Sequence, residues 1–429
     1  MKILLIQPIV FPPLSSFGKL VYNHFKKISF IHSFLTLQQV AAVTPKEHDV
    51  KLVDERVDKI PYDEKNDVVG ITVLTPYSIR AYEIADEFRK RGVKVVLGGY
   101  HPTALPEEAK EHADAVVIGE AELTWPELLR DLENDELKPF YKATQLVDPK
   151  LIPPARRDIV NHIHLIGVLQ ATRGCPYACG FCAVSKMEGR TIRKRPIENV
   201  ISEMKAMKQK YFFFADASMT IDPNYTKELF RAMKGLRKRF ACFGNAGVLG
   251  SDDELLSLAK KAGNVCWNVG FESISQETID NLGKRTNKVQ NYKDVVKKIH
   301  KNKMLVTGEF IFGFEEDTTE SFKKTLKMIN EIKVDQAEIN ILTPLPGTDF
   351  YQKLESENRF LNKNWEKYYA GNVVFKPNKL SIDELLEGYK KITTNMYTSR
   401  RYLKFMIKSL RFGTSTFMWS LQSNFLWPF

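Results

Sequence analysis

The chain has 429 residues, of which 43% are hydrophobic and 27% charged, an ordinary globular balance that leaves room for two or three domains. No stretch has the ~20 apolar residues of a membrane-spanning helix, and the short apolar run at the N-terminus predicts a strand and not a signal peptide. Five cysteines are too few for a disulfide framework and indicate a reducing compartment. We therefore expect a cytoplasmic protein.

The charge is unevenly distributed. Lys and Arg number 63 against 52 Asp and Glu, a net charge of +11. Between Gly388 and Phe429 the chain has seven Lys or Arg and no acidic residue, so the excess lies largely in the tail. Such an excess favours nucleic acid or an anionic membrane as a partner.

Residues 1–140 alternate β-rich and helical patterns, which predicts a doubly wound, Rossmann-like parallel sheet. The predicted strands and helices are Lys2–Ile6, Asp49–Val53, Asp67–Val73, a helix over Tyr77–Arg91, Val93–Leu97, Ala113–Val117 and a helix over Glu122–Leu132.

Ligands of such sheets bind in the loops beyond the carboxyl ends of the strands. Here these loops are Thr72–Tyr77, Gly98–Thr103 and Gly119–Glu122. Gly98 and Gly99 would permit close approach of the backbone to a ligand. Ordinary tight turns explain the same residues equally well.

A proline-rich segment follows, with Pro149, Pro153 and Pro154 and no strand or helix periodicity. Prolines at this density stiffen an extended connector. We predict a linker over residues 141–162.

The next segment, Gly174–Cys182, places three cysteines in the spacing C-x3-C-x2-C. A structural zinc site requires four ligands, and only three cysteines are present here. A redox C-x2-C pair does not need the third cysteine. Buried core thiols are a poor explanation, because a loop rich in Gly and Pro is not part of a core. A [4Fe–4S] cluster held by three thiolates explains the number of cysteines best, and it leaves one iron open.

This motif after a strand resembles the signature of the radical SAM superfamily. The resemblance implies that Cys175, Cys179 and Cys182 ligate the cluster and that Phe181 packs near the adenine of S-adenosylmethionine (SAM). It also implies that an external donor such as flavodoxin or ferredoxin supplies electrons. The cluster would cleave SAM to a 5′-deoxyadenosyl radical, which abstracts a substrate hydrogen.

Residues 163–350 repeat strand and helix six times, which predicts a partial (β/α)6 barrel with its chemistry at the carboxyl ends of the strands. The predicted strands are His164–Thr172, Tyr211–Ala215, Phe240–Asn245, Asn264–Glu272, Leu305–Phe312 and Gln336–Leu342.

Candidate SAM contacts stand at these strand ends. Asp216 follows the second strand, where relatives have two successive acidic residues and this chain has one. Gly270 and Glu272 end the fourth strand and resemble the family's segment that contacts SAM. A strand-end carboxylate that caps the next helix is the alternative. Cys242 and Cys266 fall in strand patterns and are predicted to be buried thiols.

The first domain, in the stretch LGGYHPTALPEEA and the later VVIGEAE, resembles the cobalamin-binding-type domain of class B radical SAM enzymes. The Asp-x-His-x-x-Gly motif of many cobalamin proteins is missing, as in many members of this family. The resemblance implies a set of cofactor-facing residues: Thr75, Gly98, Gly99, His101, Pro102, Gly119 and Glu120.

Residues 351–429 read as a helical region with a basic, aromatic tail. Arg401, Lys404, Lys408 and Arg411 share one helix face, and the chain ends in Phe425, Trp427 and Phe429. Two alternatives are open: an interfacial anchor on anionic lipid, at the inner face of the membrane, or a helix packed across the barrel mouth.

The sequence thus predicts a radical SAM enzyme that functionalises an unactivated carbon, with cobalamin-dependent methylation of a hydrophobic or lipid-like substrate as the first choice. Radical cyclisation, C–C coupling or rearrangement without methyl transfer is the second. A non-catalytic metal protein that binds RNA is the alternative of another class. We expect no nucleic acid partner, because no base-stacking module is apparent.

Overall fold

The structure is a computed structural model that describes residues 1–9, 28–29, 35–160 and 163–424. The end of the predicted linker at residues 161 and 162, and the aromatic residues Phe425, Trp427 and Phe429, lie outside the described residues.

The strands in chain order are β1 (Lys2–Gln7), β2 (Ile28–Ser29), β3 (Asp49–Asp54), β4 (Val68–Thr72), β5 (Lys94–Gly98), β6 (Ala115–Ile118), β7 (Phe140–Lys142), β8 (Ile163–His164), β9 (Ile166–Leu169), β10 (Thr172–Arg173), β11 (Arg193–Lys194), β12 (Tyr211–Phe214), β13 (Arg239–Phe243), β14 (Asn264–Glu272), β15 (Leu305–Phe312) and β16 (Gln336–Ile341).

The described helices are α1 (Leu35–Val43), α2 (Ser78–Lys90), α3 (Tyr100–Ala104), α4 (Pro106–Glu111), α5 (Ala121–Glu133), α6 (Val184–Met187), α7 (Ile197–Ala206), α8 (Pro223–Met233), α9 (Ala246–Ser251), α10 (Asp253–Ala262), α11 (Gln276–Asn281), α12 (Tyr292–Lys301), α13 (Thr319–Ile332), α14 (Asp349–Ser356), α15 (Ile382–Met396), α16 (Ser399–Phe412) and α17 (Thr414–Asn424).

The first sheet has the order β3-β1-β4-β5-β6-β7, and all of its strands are parallel. Successive residues of β1 serve opposite faces: Leu4 and Ile6 pack in the core that contains α2, and Ile3 and Leu5 in the core that contains α5. Burial on both faces explains the continuous apolar strands. The predicted doubly wound domain is confirmed.

Helix α1 and strand β7 are among the elements of this domain that were not predicted. Helix α1 packs Leu37 and Ala41 against the sheet, and β7 pairs with β6 in the segment that showed no strand periodicity. Strand β7 has three residues after Pro139, too few for a period-2 pattern to emerge.

The second sheet has the order β16-β15-β14-β13-β12-β9, again all parallel. Its outward residues, such as Phe212, Trp267 and Phe310, pack under the surrounding helices. This arrangement confirms the predicted partial barrel of six strands.

The predicted first barrel strand, His164–Thr172, is three short strands. Only β9 lies in the barrel, whereas β8 pairs with β2 and β10 forms an antiparallel pair with β11. The chain leaves the barrel after Leu169 because the Asp216 carboxylate accepts hydrogen bonds from the backbone N–H groups of Ala171 and Thr172.

The C-terminal helices close the amino end of the barrel, opposite the predicted mouth. Phe405 of α16 and Trp419 of α17 are both 6% exposed and pack with Ile166, Tyr211 and Leu305, at or near the beginnings of their strands. No helix within the described ranges is long and apolar enough to cross a bilayer.

The carboxyl ends of the two sheets face each other. The Tyr100 hydroxyl, just after β5, donates to the Pro346 carbonyl after β16 at 2.6 Å. Trp365 donates its indole N–H to Glu108 of α4 at 3.0 Å. The loops predicted to bind cofactors therefore meet between the domains.

Candidate functional site between the two sheets

A cavity of about 370 Å³ lies between the carboxyl ends of the two sheets. Gly98, Gly99 and Gly119 line it from the first domain, and Gln170 and Ala215 line it from the ends of barrel strands. In parallel sheets this edge is where ligands bind. The cavity therefore lies beside the predicted cofactor loops of the first domain, and Cys175, Cys179 and Cys182 are not in its lining.

The glycines of the first domain permit this opening. Gly99 has φ +101°, and a Cβ there would lie 2.9 Å from Thr72 Oγ1 and 3.0 Å from Val73 N, so a side chain would be both strained and crowded. Gly119 has φ +86°, and its N–H donates to Thr103 Oγ1 at 2.9 Å.

His101 does not line the cavity. It is fully buried, with Nδ1 3.3 Å from Thr75 Oγ1 and Nε2 3.0 Å from Glu108 Oε1, and its ring packs edge-on against Trp365. Thr75 and Pro102 are likewise buried outside the cavity lining. These three residues are buried outside the cavity lining, and their contact with a cofactor stays a prediction.

Glu120 lines the cavity but is engaged by arginines. Its two carboxylate oxygens accept from Arg193 at 2.6 and 2.9 Å, from Arg173 at 3.1 Å and from Val147 N at 2.8 Å. Burial alone would raise the pKa of Glu120, but the hydrogen bonds from Arg193 and the charge of Arg173 outweigh it, and the pKa is lowered.

The cysteine loop begins at a glycine with a left-handed backbone conformation. Gly174 has φ +85°, a Cβ there would overlap the Thr191 carbonyl, and its N–H donates to Glu188 Oε2 at 2.9 Å. Cys175 N donates to the Gly189 carbonyl at 3.1 Å, and Cys182 N to the Cys179 carbonyl at 2.9 Å. The loop is thus fixed at both ends by backbone contacts.

The three thiols are partly buried and close enough to influence one another's ionisation. Burial raises the pKa of Cys179 to about 11, against the opposing charge of Lys284. Metal binding must therefore displace three protons.

Within the described part of the chain no three metal-ligating side chains converge on one point. A four-iron cluster does not require such convergence, because each thiolate binds a different iron atom. Three thiols on one loop fit this group.

Phe181 lies at the edge of the same region. Its ring centroid is 6.3 Å from that of Phe314, in an edge-on arrangement, and it packs with residues of the segment after β15 and β16. This position, beside the cysteine loop and the barrel's carboxyl end, is compatible with the predicted contact to adenine.

Asp216 is buried and holds the backbone that leads into the cysteine loop. It is 1% exposed and accepts from Thr172 N at 2.5 Å and Thr172 Oγ1 at 2.7 Å. Burial raises its pKa to about 6, although these hydrogen bonds oppose the shift. Asp216 therefore supports the entry to the cysteine loop, and its contact with SAM stays a prediction.

Glu272 belongs to a buried ion pair that the sequence did not reveal. Glu272 has φ +61°, and Lys284 Nζ donates to its carboxylate and, at 2.8 Å, to the Gly270 carbonyl. The charge of Lys284 acts on all three cysteines. Any side chain at Gly270 would overlap this pair, which explains the glycine.

Two further carboxyls face the barrel interior. Phe310 and Phe312 pack outward, so Glu309, which precedes Phe310, points inward, beside Glu338 of the adjacent strand. Burial and the charges of Glu272 and Glu338 raise the pKa of Glu309 to about 8. A glutamate amid the apolar residues of Leu305–Phe312 was the available sequence signal; Lys284, in an ordinary polar loop, carried none.

Known proteins resemble the chain in each of these regions. Residues 26–129 match the B12 binding domain, residues 169–329 the radical SAM superfamily, and residues 348–416 a domain of unknown function (DUF4070). The chain is 34% identical over 387 residues to bacteriochlorophyllide d C-12(1)-methyltransferase of Chlorobaculum tepidum. The aligned region covers 87% of this chain and 84% of that protein. The chain belongs to the class B radical SAM enzymes.

Two further matches agree. Bacteriochlorophyllide d C-8(2)-methyltransferase of the same organism is 32% identical over 394 residues, 86% of each chain. The radical SAM methyltransferase TsrM of Kitasatospora setae, solved with cobalamin and a [4Fe–4S] cluster, has the same fold, with a TM-score of 0.72 at 15% identity over 99% of this chain and 98% of that one.

The family assignment confirms the predicted class. The chain is a radical SAM enzyme of the cobalamin-dependent C-methyltransferase type, and its cofactors are a [4Fe–4S] cluster, SAM and cobalamin.

Proposed function

We propose that this enzyme methylates an unactivated carbon of a large hydrophobic substrate at the interface between its two domains. The observation that carries the proposal is the shared lining of the cavity at this interface, with Gly99 and Gly119 on one side and Gln170 and Ala215 on the other. Arg173, two residues before Cys175, belongs to the same lining, so a group bound there would lie next to the start of the cysteine loop.

In this proposal Cys175, Cys179 and Cys182 hold the cluster, and Gly98, Gly99 and Gly119 let cobalamin approach the first sheet. The cluster supplies the electron that cleaves SAM, and cobalamin supplies the methyl group. One SAM yields methionine and 5′-deoxyadenosine, which carries away the substrate hydrogen. A second SAM would give its methyl group and leave as S-adenosylhomocysteine. An external donor of the flavodoxin or ferredoxin type would provide two electrons per methyl group transferred, one to cleave the first SAM and one to return cobalamin to its methyl-accepting state.

The residues of this chain position and shield these groups. The Lys284–Glu272 pair sets the charge beside the cysteines, and Asp216 fixes the backbone where the chain enters their loop. The side chains of Phe181 and Phe314 form an apolar wall beside the loop. Exclusion of water protects a reactive radical from side reactions.

The two bacteriochlorophyllide methyltransferases suggest a tetrapyrrole as the first substrate to test. Reconstituted enzyme with SAM, dithionite and cobalamin is expected to add one methyl group to bacteriochlorophyllide d, detected by mass spectrometry. Methylation of a polycyclic lipid in place of the tetrapyrrole would retain the reaction and correct the substrate. A cyclised or rearranged product, with 5′-deoxyadenosine formed, would overturn methyl transfer in favour of the runner-up.

We further propose that the outer face of α16 contacts an anionic membrane. Leu403, Ile407 and Leu410 are 60%, 45% and 54% exposed, and the exposed Arg400, Lys404 and Arg411 lie beside them on the helix surface. The opposite face is held against the barrel by Phe405. An exposed apolar stripe next to a basic one matches the interface of a bilayer with acidic headgroups.

Vesicle flotation tests this contact. Full-length protein should float with vesicles that contain phosphatidylglycerol and less with pure phosphatidylcholine. The variant L403S/I407S/L410S should lose flotation, whereas L151S, which alters a leucine that is 63% exposed elsewhere, should keep it. Equal flotation of the triple variant and the wild type would refute the surface, and a dimer that the triple variant dissociates would reassign it to a second copy.

A further inference from the structure

One buried arginine connects the cobalamin-type domain to the cysteine loop. Arg173 stands two residues before Cys175, in β10, and its side chain is 8% exposed. All three guanidinium nitrogens donate: Nε to Gln170 Oε1 at 3.0 Å, Nη1 to Glu120 Oε1 at 3.1 Å, and Nη2 to Glu122 Oε1 at 2.5 Å and to Gln39 Oε1 at 3.2 Å. Three of these four acceptors belong to the first domain.

A second arginine reinforces the connection. Arg193 in β11 bridges Glu120 and the carbonyls of Val147, at 2.6 Å, and Glu188, at 2.8 Å. Glu188 in turn accepts from Gly174 N and from Gln170 Nε2. A continuous series of charged hydrogen bonds therefore runs from the start of α5 to the backbone beside Cys175.

The same network borders the cavity. Gln39, Glu120, Glu122, Arg173 and Glu188 line it together with Gly98, Gly99 and Gly119. A group bound over the loops after β5 and β6 would rest beside these side chains. If binding of such a group shifted Glu120 or Glu122, Arg173 would shift with them, because a buried charge that loses its partners is energetically costly.

We propose that Arg173 is a positioning residue that couples corrinoid binding in the first domain to the geometry of the cluster loop. The inference rests on the cofactor assignment of the family and goes beyond it, since no cofactor has to touch Arg173. Coupling of this kind is reciprocal: a formed cluster tightens corrinoid binding by the same factor by which bound corrinoid stabilises the cluster-loaded loop.

The test is a ratio of dissociation constants. The Kd of hydroxocobalamin is measured for full-length protein with and without a reconstituted cluster, with iron content determined for each sample. For the wild type we expect binding to the cluster-loaded form to be tighter by roughly fivefold or more, the usual range of such couplings. For R173K, which keeps the charge but not the planar fork, we expect a ratio near one with unchanged iron.

Two further variants complete the experiment. E122Q retains Arg173 and removes the charge of its closest acceptor, so it should lower the ratio even if R173K folds poorly. R91M alters an exposed arginine, paired with Glu87 and Asp63 on the far side of the first domain, and should keep the wild-type ratio.

A purely structural role for Arg173 would lower stability in its variants but leave the ratio unchanged, and that result would overturn the proposal. A wild-type ratio of one would overturn it as well. Absence of hydroxocobalamin binding in any form of the wild type would instead contradict the proposed function itself.

Discussion

Lys284 donates a hydrogen bond to the carboxylate of Glu272, and the buried pair lies within electrostatic reach of all three cysteines. The two side chains are 16% and 6% exposed. A buried ion pair adds little net stability, but the loss of one partner leaves the other charge uncompensated. Substitution of one partner should therefore cost more stability than substitution of both.

We predict that K284M lowers the free energy of unfolding by about 3 kcal/mol, the lower end of the range for a broken buried ion pair. The physical reason is the unpaired Glu272 carboxylate. Guanidinium titration of the cluster-free protein measures the loss. The double variant E272Q/K284M should be more stable than K284M alone, and a double variant as unstable as the sum of both single changes would contradict the pairing.

Removal of Asp216 should loosen the cysteine loop. D216A leaves the N–H groups of Ala171 and Thr172 and the Thr172 hydroxyl without their acceptor, at a cost of about 3 kcal/mol. Iron content after reconstitution should fall well below that of the wild type. D222A, which removes a helix cap at Tyr225 N, costs about 1 kcal/mol and should retain iron. Normal iron content in D216A would show that Asp216 does not support the loop.

Glu309 makes stability depend on pH. Its folded-state pKa of about 8 exceeds its ordinary value of 4.5, so native protein retains a proton that the unfolded chain loses between these values. Wild-type stability should therefore fall relative to E309Q by about 1.4 kcal/mol per pH unit across this window, and the difference should be constant above pH ~8. Denaturant titrations at several pH values measure it; a difference independent of pH would rule out the raised pKa.

The helices α16 and α17, which close the amino end of the barrel, should contribute to the stability of the fold. W419A removes a large buried side chain that packs in the same cluster as Phe405 and should cost about 3–5 kcal/mol. M418A, at a neighbouring position that is 42% exposed, should cost less than about 0.5 kcal/mol. Equal stability of the two variants would place α17 away from the barrel.

The sequence predicted those features that have a local signal. Strand and helix periodicity located the two parallel sheets, and the spacing of Cys175, Cys179 and Cys182 located the loop that follows the first barrel strand. Each of these signals is carried by residues that lie within a few positions of one another in the chain. The predicted strands Asn264–Glu272 and Leu305–Phe312 have the same bounds in the structure.

Features that depend on distant pairings were missed. Glu120 was predicted as a cofactor residue, but Arg193, which engages it, lies 73 positions away. Arg173 adjoins the cysteine motif, yet its partner Gln39 is 134 positions away. His101 contacts Thr75, which is 26 positions away. Periodicity carries no information about such pairs.

The central claim is that one chain holds the cluster and cobalamin on facing sheet edges. The visible spectrum of protein expressed with cobalamin, reconstituted anaerobically and passed through gel filtration, tests this claim most directly. We predict corrinoid bands together with cluster absorbance, at about one corrinoid and about four irons per chain. Protein that retains its iron but emerges without corrinoid would contradict the account.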